Sequence, residues 1–446
     1  VSGSLAGQGE NVHIDSINLM DGMSPTTQIM TAFTTIPDLT GVADQHTIGA
    51  SLEGGHPTIL LNLETGEKVP HWVETDARAD DETGTIVFIR TLEQLNPNTP
   101  YGVGISGLNV TPSVAFQAIL DGLETDAPDV ESRQASMTNL IESIADAGHN
   151  TTNLKAAWQF HTASMESIVG PMLSMRADAL ERLGDDGIAC NVESVETDWM
   201  DDSENDFRLI KGTYTVPHYL EWQNPPSLIS TDANGTPQFV ENAEVDFTLV
   251  IPQVLADKNQ SGPLVVWGHG FLGDGRGAIS SAAIGWMQEY EVAMVGTAIS
   301  GWSGSDMDTI FMGLGNPQYF EHQSDRLQQT LVNQMALART FKGVCSDIAE
   351  LTYNGTNLVD SSDVNYMGYS LGGIYGASIT AFSPDIDRAA LWVGGSGFST
   401  FIERSTNYAA FSDGFAVSQA YPERNDRALL IAVCQQMWDA TDAETW

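Results

Sequence analysis

The chain has 446 residues, 42% of them apolar, and a formal charge of −41 from 59 acidic against 18 basic side chains. That length exceeds one ordinary hydrophobic core, and the apolar content excludes an intrinsically disordered chain. So acidic a surface repels nucleic acid and anionic membranes, so neither is an expected partner, and no apolar run reaches the ~20 residues of a membrane span, so no transmembrane segment is expected.

Residues 1–124 read as a β-rich domain. The runs 28–33, 58–62 and 85–89 carry β-formers and are separated by Gly, Pro, Asn and Asp turns. The segment Leu95-Asn96-Pro97-Asn98-Thr99-Pro100-Tyr101-Gly102-Val103 resembles the tyrosine corner of immunoglobulin-like sandwiches, where a Tyr hydroxyl bonds backbone upstream of itself. The period changes over 125–205, a helical connecting segment. Met137, Leu140, Ile141, Ile144 and Ala145 fall at helical spacing, and a second helix is predicted over 167–183, closed by Gly184. Between them 156–160 reads as a strand. The acidic stretch up to Asp206 reads as a solvated boundary loop. Neither it nor the cluster at 76–82 carries the alternating oxygen ligands and central glycine of a calcium loop. Three cysteines, Cys190, Cys345 and Cys434, are too few for a disulfide scaffold and leave three pairings open.

Residues 206–446 change to an α/β pattern. The runs 213–216 and 244–251 alternate as half-exposed strands, whereas 264–267 and 292–295 are wholly apolar, as buried parallel strands should be. A helix over 326–341, a strand over 364–367, a helix over 371–382 and a buried strand over 389–393 follow. The stretch 428–438 reads as a helix, although 429–433 is apolar enough for a strand. Strands alternating with helices predict a mostly parallel sheet flanked by helices.

The chemistry concentrates at Gly368-Tyr369-Ser370-Leu371-Gly372, a strand that turns into a helix with a serine at the apex. Glycines at both ends let strand and helix approach, and the hydroxyl sits at a helix N-terminus that favours developing negative charge. Gly268-His269-Gly270-Phe271 ends an earlier buried strand. Acyl transfer needs two backbone N–H donors aimed at the oxyanion, here expected from Leu371 and Phe271, and requires no metal or organic cofactor. His269 reads as structural, His322 as a surface residue, and Ser106, Ser303 and Ser396 as turn residues. All nine histidines precede Ser370. A hydrolase of this layout takes its base from a later one.

In these features residues 206–446 resemble an α/β-hydrolase. The whole chain resembles large secreted bacterial lipase/esterase-type hydrolases with a virulence-factor-lipase-type N-terminal β domain. Further matching features are Asp21-Gly-Met-Ser24, Val69-Pro-His-Trp-Val73, Phe160-His-Thr-Ala-Ser164, Trp267-Gly-His-Gly270 and Asp325-Arg-Leu-Gln-Gln329. The resemblance implies a secreted or cell-surface serine hydrolase cleaving an ester or lipid-like substrate. It also favours the helix over 428–438, and it implies a triad Asp and His in sequence beyond residue 446. Asp413, Asp426, Asp439 and Asp442 lie in helical or loop-like sequence, not at the end of a buried strand. Three readings stay open: the remainder of the hydrolase domain or a second polypeptide supplies Asp and His, the base is atypical, or the chain is a non-catalytic extracellular binding or surface-assembly protein on the same scaffold. The start at Val1, without a signal-like segment, suits a processed or trimmed polypeptide.

Overall fold

Short β-branched and aromatic runs broken by turn residues fold the N-terminal half into two antiparallel sheets. The computed structural model describes residues 2–3, 12–13, 15–77, 85–123, 128–197, 199, 207–276, 281–408 and 421–446. Two compact units emerge: Leu19–Ile168 with Tyr421–Gln436, and Val1–Asn18 with Val169–Ala420 and Met437–Trp446. This division differs from the predicted 1–124, 125–205 and 206–446. The reason is that the strand expected within the connecting segment pairs back into the N-terminal sheets.

In the first unit the strands are β1 (Ile29–Phe33), β2 (Thr58–Asn62), β3 (His71–Thr75), β4 (Thr85–Thr91), β5 (Pro100–Ser106) and β6 (Leu154–His161). They form sheets ordered β1-β4-β3 and β2-β5-β6. Leu60, Val103 and Ile105 of one sheet share a core with Val73, Val87 and Ile89 of the other. Ile59 and Leu61, one residue to either side of Leu60, face the opposite way, onto Phe116 of helix α1 (Val114–Leu120) and Leu140 and Ile144 of helix α2 (Pro128–Asp146). That period of two explains why all five residues of β2 are buried. The expected corner forms: the Asn96 N–H donates to the Tyr101 hydroxyl at 2.9 Å.

Three histidines lie buried in this unit, His56, His71 and His149. His71 Nδ1–H donates to the Val69 carbonyl at 2.8 Å and its Nε2 faces the Thr58 hydroxyl at 2.8 Å. His149 Nε2 lies 2.9 Å from the Ser106 hydroxyl, which itself donates to the Asn150 carbonyl. Burial pushes the pKa of both His71 and His149 down to about 4, with a smaller contribution from nearby Lys68 at His149 alone. A folded-state pKa below the unfolded value means stability is complete above about pH 6.5 and is lost as pH falls toward 4, because only the unfolded chain accepts the protons. The urea midpoint of this unit is therefore expected to drop across that window, with up to two protons taken up on unfolding. A flat midpoint in the window would contradict the burial argument.

In the second unit helix α3 (Met165–Leu183) ends at Gly184, φ 61°, as the sequence predicts. The strands are β7 (Cys190–Glu196), β8 (Arg208–His218), β9 (Glu241–Ile251), β10 (Gly262–Gly268), β11 (Ala293–Gly296), β12 (Val359–Tyr369) and β13 (Ala389–Trp392). They lie side by side as β13-β12-β10-β11-β9-β8-β7. Only the pairs among β13, β12, β10 and β11 are parallel; β11–β9, β9–β8 and β8–β7 are antiparallel. The expectation of a mostly parallel sheet is thus corrected to a mixed sheet. Alternating residues in 213–216 and 244–251 reported half-exposed strands but not their direction, and the connection from β8 to β9, described throughout, carries no crossover helix. Helix α4 (Ser281–Tyr290) packs Ala283, Ile284 and Met287 on the face that carries Val265 and Met294.

On the opposite face helix α6 (Phe320–Lys342) sets Phe341 edge-on to Phe247 of β9, with α5 (Met307–Gly315) preceding it and α7 (Leu371–Phe382) beside it. The region 428–438 is helical, within α8 (Arg424–Trp438). Cys190 on β7 is bonded to Cys345 just after α6, and Cys434 is a buried free thiol.

β13 departs from expectation in one respect: predicted buried, it is exposed along its length, with Leu391 43% and Trp392 47% accessible. Apolar composition signalled a strand that wants neighbours. Its place at the sheet edge leaves one side without a strand neighbour among the described residues.

Candidate active site

β12 buries Val364 and Tyr366 on one face and ends at Tyr369; α7 starts at Leu371, leaving Ser370 alone at the turn. Its backbone has φ 55° and ψ −114°, a conformation a residue with a β-carbon rarely adopts. Three contacts hold it there. The Ser370 N–H donates to the Trp392 carbonyl at 3.0 Å, its own carbonyl accepts from Ile374 N–H at 2.9 Å, and Gly372 N–H donates to the His269 carbonyl at 2.8 Å. The side chain is half-buried, and its hydroxyl has no hydrogen-bond partner among the described residues. Leu371 N–H is the first donor of α7, a position that no helical carbonyl satisfies.

The loop after β10 is fixed by the ring of His269, which is 1% exposed. Nε2 accepts the Ile299 N–H at 2.7 Å, which leaves the proton on Nδ1 to be donated to the Gly270 carbonyl at 2.7 Å. Burial holds this imidazole's pKa below its ordinary value. Both nitrogens are committed to backbone, so His269 is structural, as the sequence reading has it. A β-carbon on Gly270 would lie 3.8 Å from Ser370 Cβ, so the turn at 270–271 runs directly beside the nucleophile position. Leu272, at φ 58°, is held by its N–H on the Trp302 carbonyl at 2.9 Å, and the Phe271 ring lies 5.4 Å from that of Trp302.

The structure therefore brings Ser370, Leu371 and the 270–271 turn to one place. Other predicted candidates are elsewhere or occupied. His322 lies in the first turn of α6 with its ring stacked on Tyr319 at 6.0 Å. Asp442 accepts the Gly397 and Phe398 N–H groups, both at 3.0 Å, and so caps a short helix. Asp439 is buried, and Asp426 lies in the first turn of α8. Asp413 falls outside the described residues. Ser303 caps the turn 304–306, and Ser106 ends β5 rather than sitting in a turn.

Sequence reasoning missed an aromatic cluster behind α7. Trp438 stacks on Phe398 at 4.3 Å and meets Tyr375 at 5.5 Å and Trp302 at 5.7 Å. Nearby, burial and the Asp442 carboxylate push Glu444 up to about 7. Sequence reasoning also missed an apolar groove of about 650 Å³ on the sheet face, lined by Val265, Trp286, Met294, Met367 and Trp392 with Arg388 at its rim.

No protein-family model matches this chain, and no curated protein matches it in sequence. Among solved structures it is similar to acetyl xylan esterase 1 from Thermoanaerobacterium sp., at 13% identity and a TM-score of 0.35, covering 61% of this chain and 74% of that one. It is similar at 15% identity and a TM-score of 0.35 to the acetyl xylan esterase from Paenibacillus sp. R4, covering 60% and 72%. An S-formylglutathione hydrolase from Agrobacterium tumefaciens is similar at 14% identity and a TM-score of 0.26, covering 57% and 73%. The fit of this chain to an α/β-hydrolase-type arrangement is carried by its own strand order and serine turn. Among the described residues no helix is long and apolar enough to cross a membrane.

Proposed function

We propose that this protein is a secreted serine hydrolase of carboxylic esters, of lipase or esterase type, with an immunoglobulin-like N-terminal domain. The observation that carries the reading is the strained Ser370 turn pinned against the 268–270 loop. Ser370 Oγ attacks the acyl carbonyl, forming a C–O bond while its proton passes to a histidine. The Leu371 and Phe271 N–H groups hold the resulting oxyanion. Collapse expels the alcohol, which takes the proton back, and water then releases the acid by the same steps in reverse.

No histidine follows Ser370 in these 446 residues, and in this reading the histidine and its carboxylate partner come from a strand added at the β13 edge. Two observations support this. Both nitrogens of His269 are engaged, and β13 presents an edge free of charged side chains, while the other edge, β7, carries Glu193 and Glu196. Exposed edges are ordinarily guarded by charge, so an unguarded apolar one suits a sheet that continues.

A non-catalytic extracellular binding protein is the second reading, favoured by a Ser370 hydroxyl without an acceptor among the described residues. Treating the natural full-length protein with a fluorophosphonate and mapping the adduct decides between them. Ser370 Oγ should displace fluoride from phosphorus and carry the label. Folded protein without label on Ser370 would leave only the binding reading.

A further inference from the structure

Asp306 and Arg326 form an ion pair at 2.6 Å with side chains 0% and 6% exposed. Burying two charges is a poor route to stability, since desolvation offsets most of their attraction. What such a pair does well is to fix geometry, and here every bond it makes is directional. Asp306 Oδ1 accepts from Arg326 Nε at 2.6 Å. Oδ2 gathers three donors from one loop: Gly301 N–H at 2.8 Å, Ser303 N–H at 3.0 Å and the Ser303 hydroxyl at 2.5 Å. Arg326 in turn donates to the Gln223 carbonyl at 3.0 Å, and Thr330, one turn further along α6, donates to the Ser300 carbonyl at 3.1 Å.

The loop held in this way reaches the nucleophile's neighbour at two points. Its Ile299 N–H grips His269 Nε2, and its Trp302 carbonyl grips the Leu272 N–H. Residues 269 and 272 bracket Phe271, whose N–H is the expected second oxyanion donor. Leu272 also sits at φ 58°, a strained angle that persists only where surrounding bonds impose it.

We propose that the Asp306–Arg326 pair positions the Phe271 donor, acting through the 299–303 loop on either side of it. The inference rests on the ester-hydrolase reading, and neither residue touches the reacting atoms. Loosening the pair should therefore misplace a donor used in the transition state while leaving substrate binding nearly intact.

The test uses natural full-length protein, a fluorophosphonate and a p-nitrophenyl ester. Asp306→Asn keeps the shape but removes the charge. It is expected to slow both Ser370 phosphonylation and kcat by roughly 10- to 100-fold, less than the roughly 100- to 1,000-fold cost of losing an oxyanion donor outright because the donor is misplaced and not removed, with KM changed less than about 3-fold. Ser303→Ala removes one of the three loop donors and leaves the ion pair in place, so it decides the matter if Asp306→Asn does not fold. A slowing of at least about 3-fold is expected there, again in kcat and not in KM. Folded variants that label and turn over at the wild-type rate would overturn this inference alone. An equal rise in KM with kcat unchanged would do the same, because it indicates a role in binding. Wild-type protein that does not label at all would instead remove the ester-hydrolase reading beneath it.

Discussion

Gly372→Ala is expected to destabilise the protein by about 3 kcal/mol or more and to abolish labelling of Ser370. A β-carbon there would overlap the Gly268 carbonyl and fall 2.7 Å from Gly268 Cα. Neither neighbour is a flexible side chain, so β10 and α7 must separate. Separation breaks the 2.8 Å bond from Gly372 N–H to the His269 carbonyl and the 2.7 Å bond from the Tyr366 hydroxyl to the Gly372 carbonyl. Each such bond is worth about 1 kcal/mol, and overpacking adds roughly 1–3 kcal/mol. Gly285→Ala is the matched control. It lies in α4 with nothing within 4 Å of its added carbon, so it should stabilise by up to about 1 kcal/mol through helix propensity. Urea denaturation of both variants checks the pair. Equal midpoints for Gly372→Ala and wild type would refute the interlocked turn.

What was legible in the sequence was local. The run 364–367 followed by Gly368-Tyr369-Ser370-Leu371-Gly372 encodes strand, turn and helix within a dozen residues, and the predicted start and end of α7 agree with the structure. The apolar runs of β10 and β11 read correctly as buried because both faces of an interior parallel strand are covered. β13 has the same composition, but strand order sets its exposure, and composition carries no information about order. β6 joins β5 across helix α2, so its membership in the first unit depends on a pairing some 50 residues distant in sequence. The Cys190–Cys345 bond likewise needs the edge position of β7 and the end of α6. A faint signal for the positioning network did exist. Ser303-Gly-Ser-Asp306 has capping-box spacing, and Arg326 places a charge within a helix that is buried along much of its length. The partner each would choose was invisible, because three-dimensional proximity pairs them 20 residues apart.

Ser370→Gly is expected to eliminate fluorophosphonate labelling altogether and yet to raise stability, by about 1 kcal/mol relative to Ser370→Ala. Both variants lack the hydroxyl, so neither can react, and comparing them cancels whatever the hydroxyl contributes to the fold. They differ in the β-carbon. At φ 55° and ψ −114° alanine retains the steric cost that serine bears, about 1–3 kcal/mol for a residue in so sparsely populated a region, whereas glycine does not. Glycine's greater freedom in the unfolded chain offsets roughly 0.5–1 kcal/mol of that gain. The sign of the difference therefore reports whether the turn stores strain that surrounding bonds maintain. Those bonds are the Ser370 N–H to Trp392 and the Gly372 N–H to His269. A nucleophile held off its preferred conformation presents its oxygen clear of the helix backbone, where a substrate carbonyl can approach. Chemical denaturation of the two variants in parallel measures it. If Ser370→Gly were less stable than Ser370→Ala, the strain would be absent and the turn would lose its main physical claim to being built for attack.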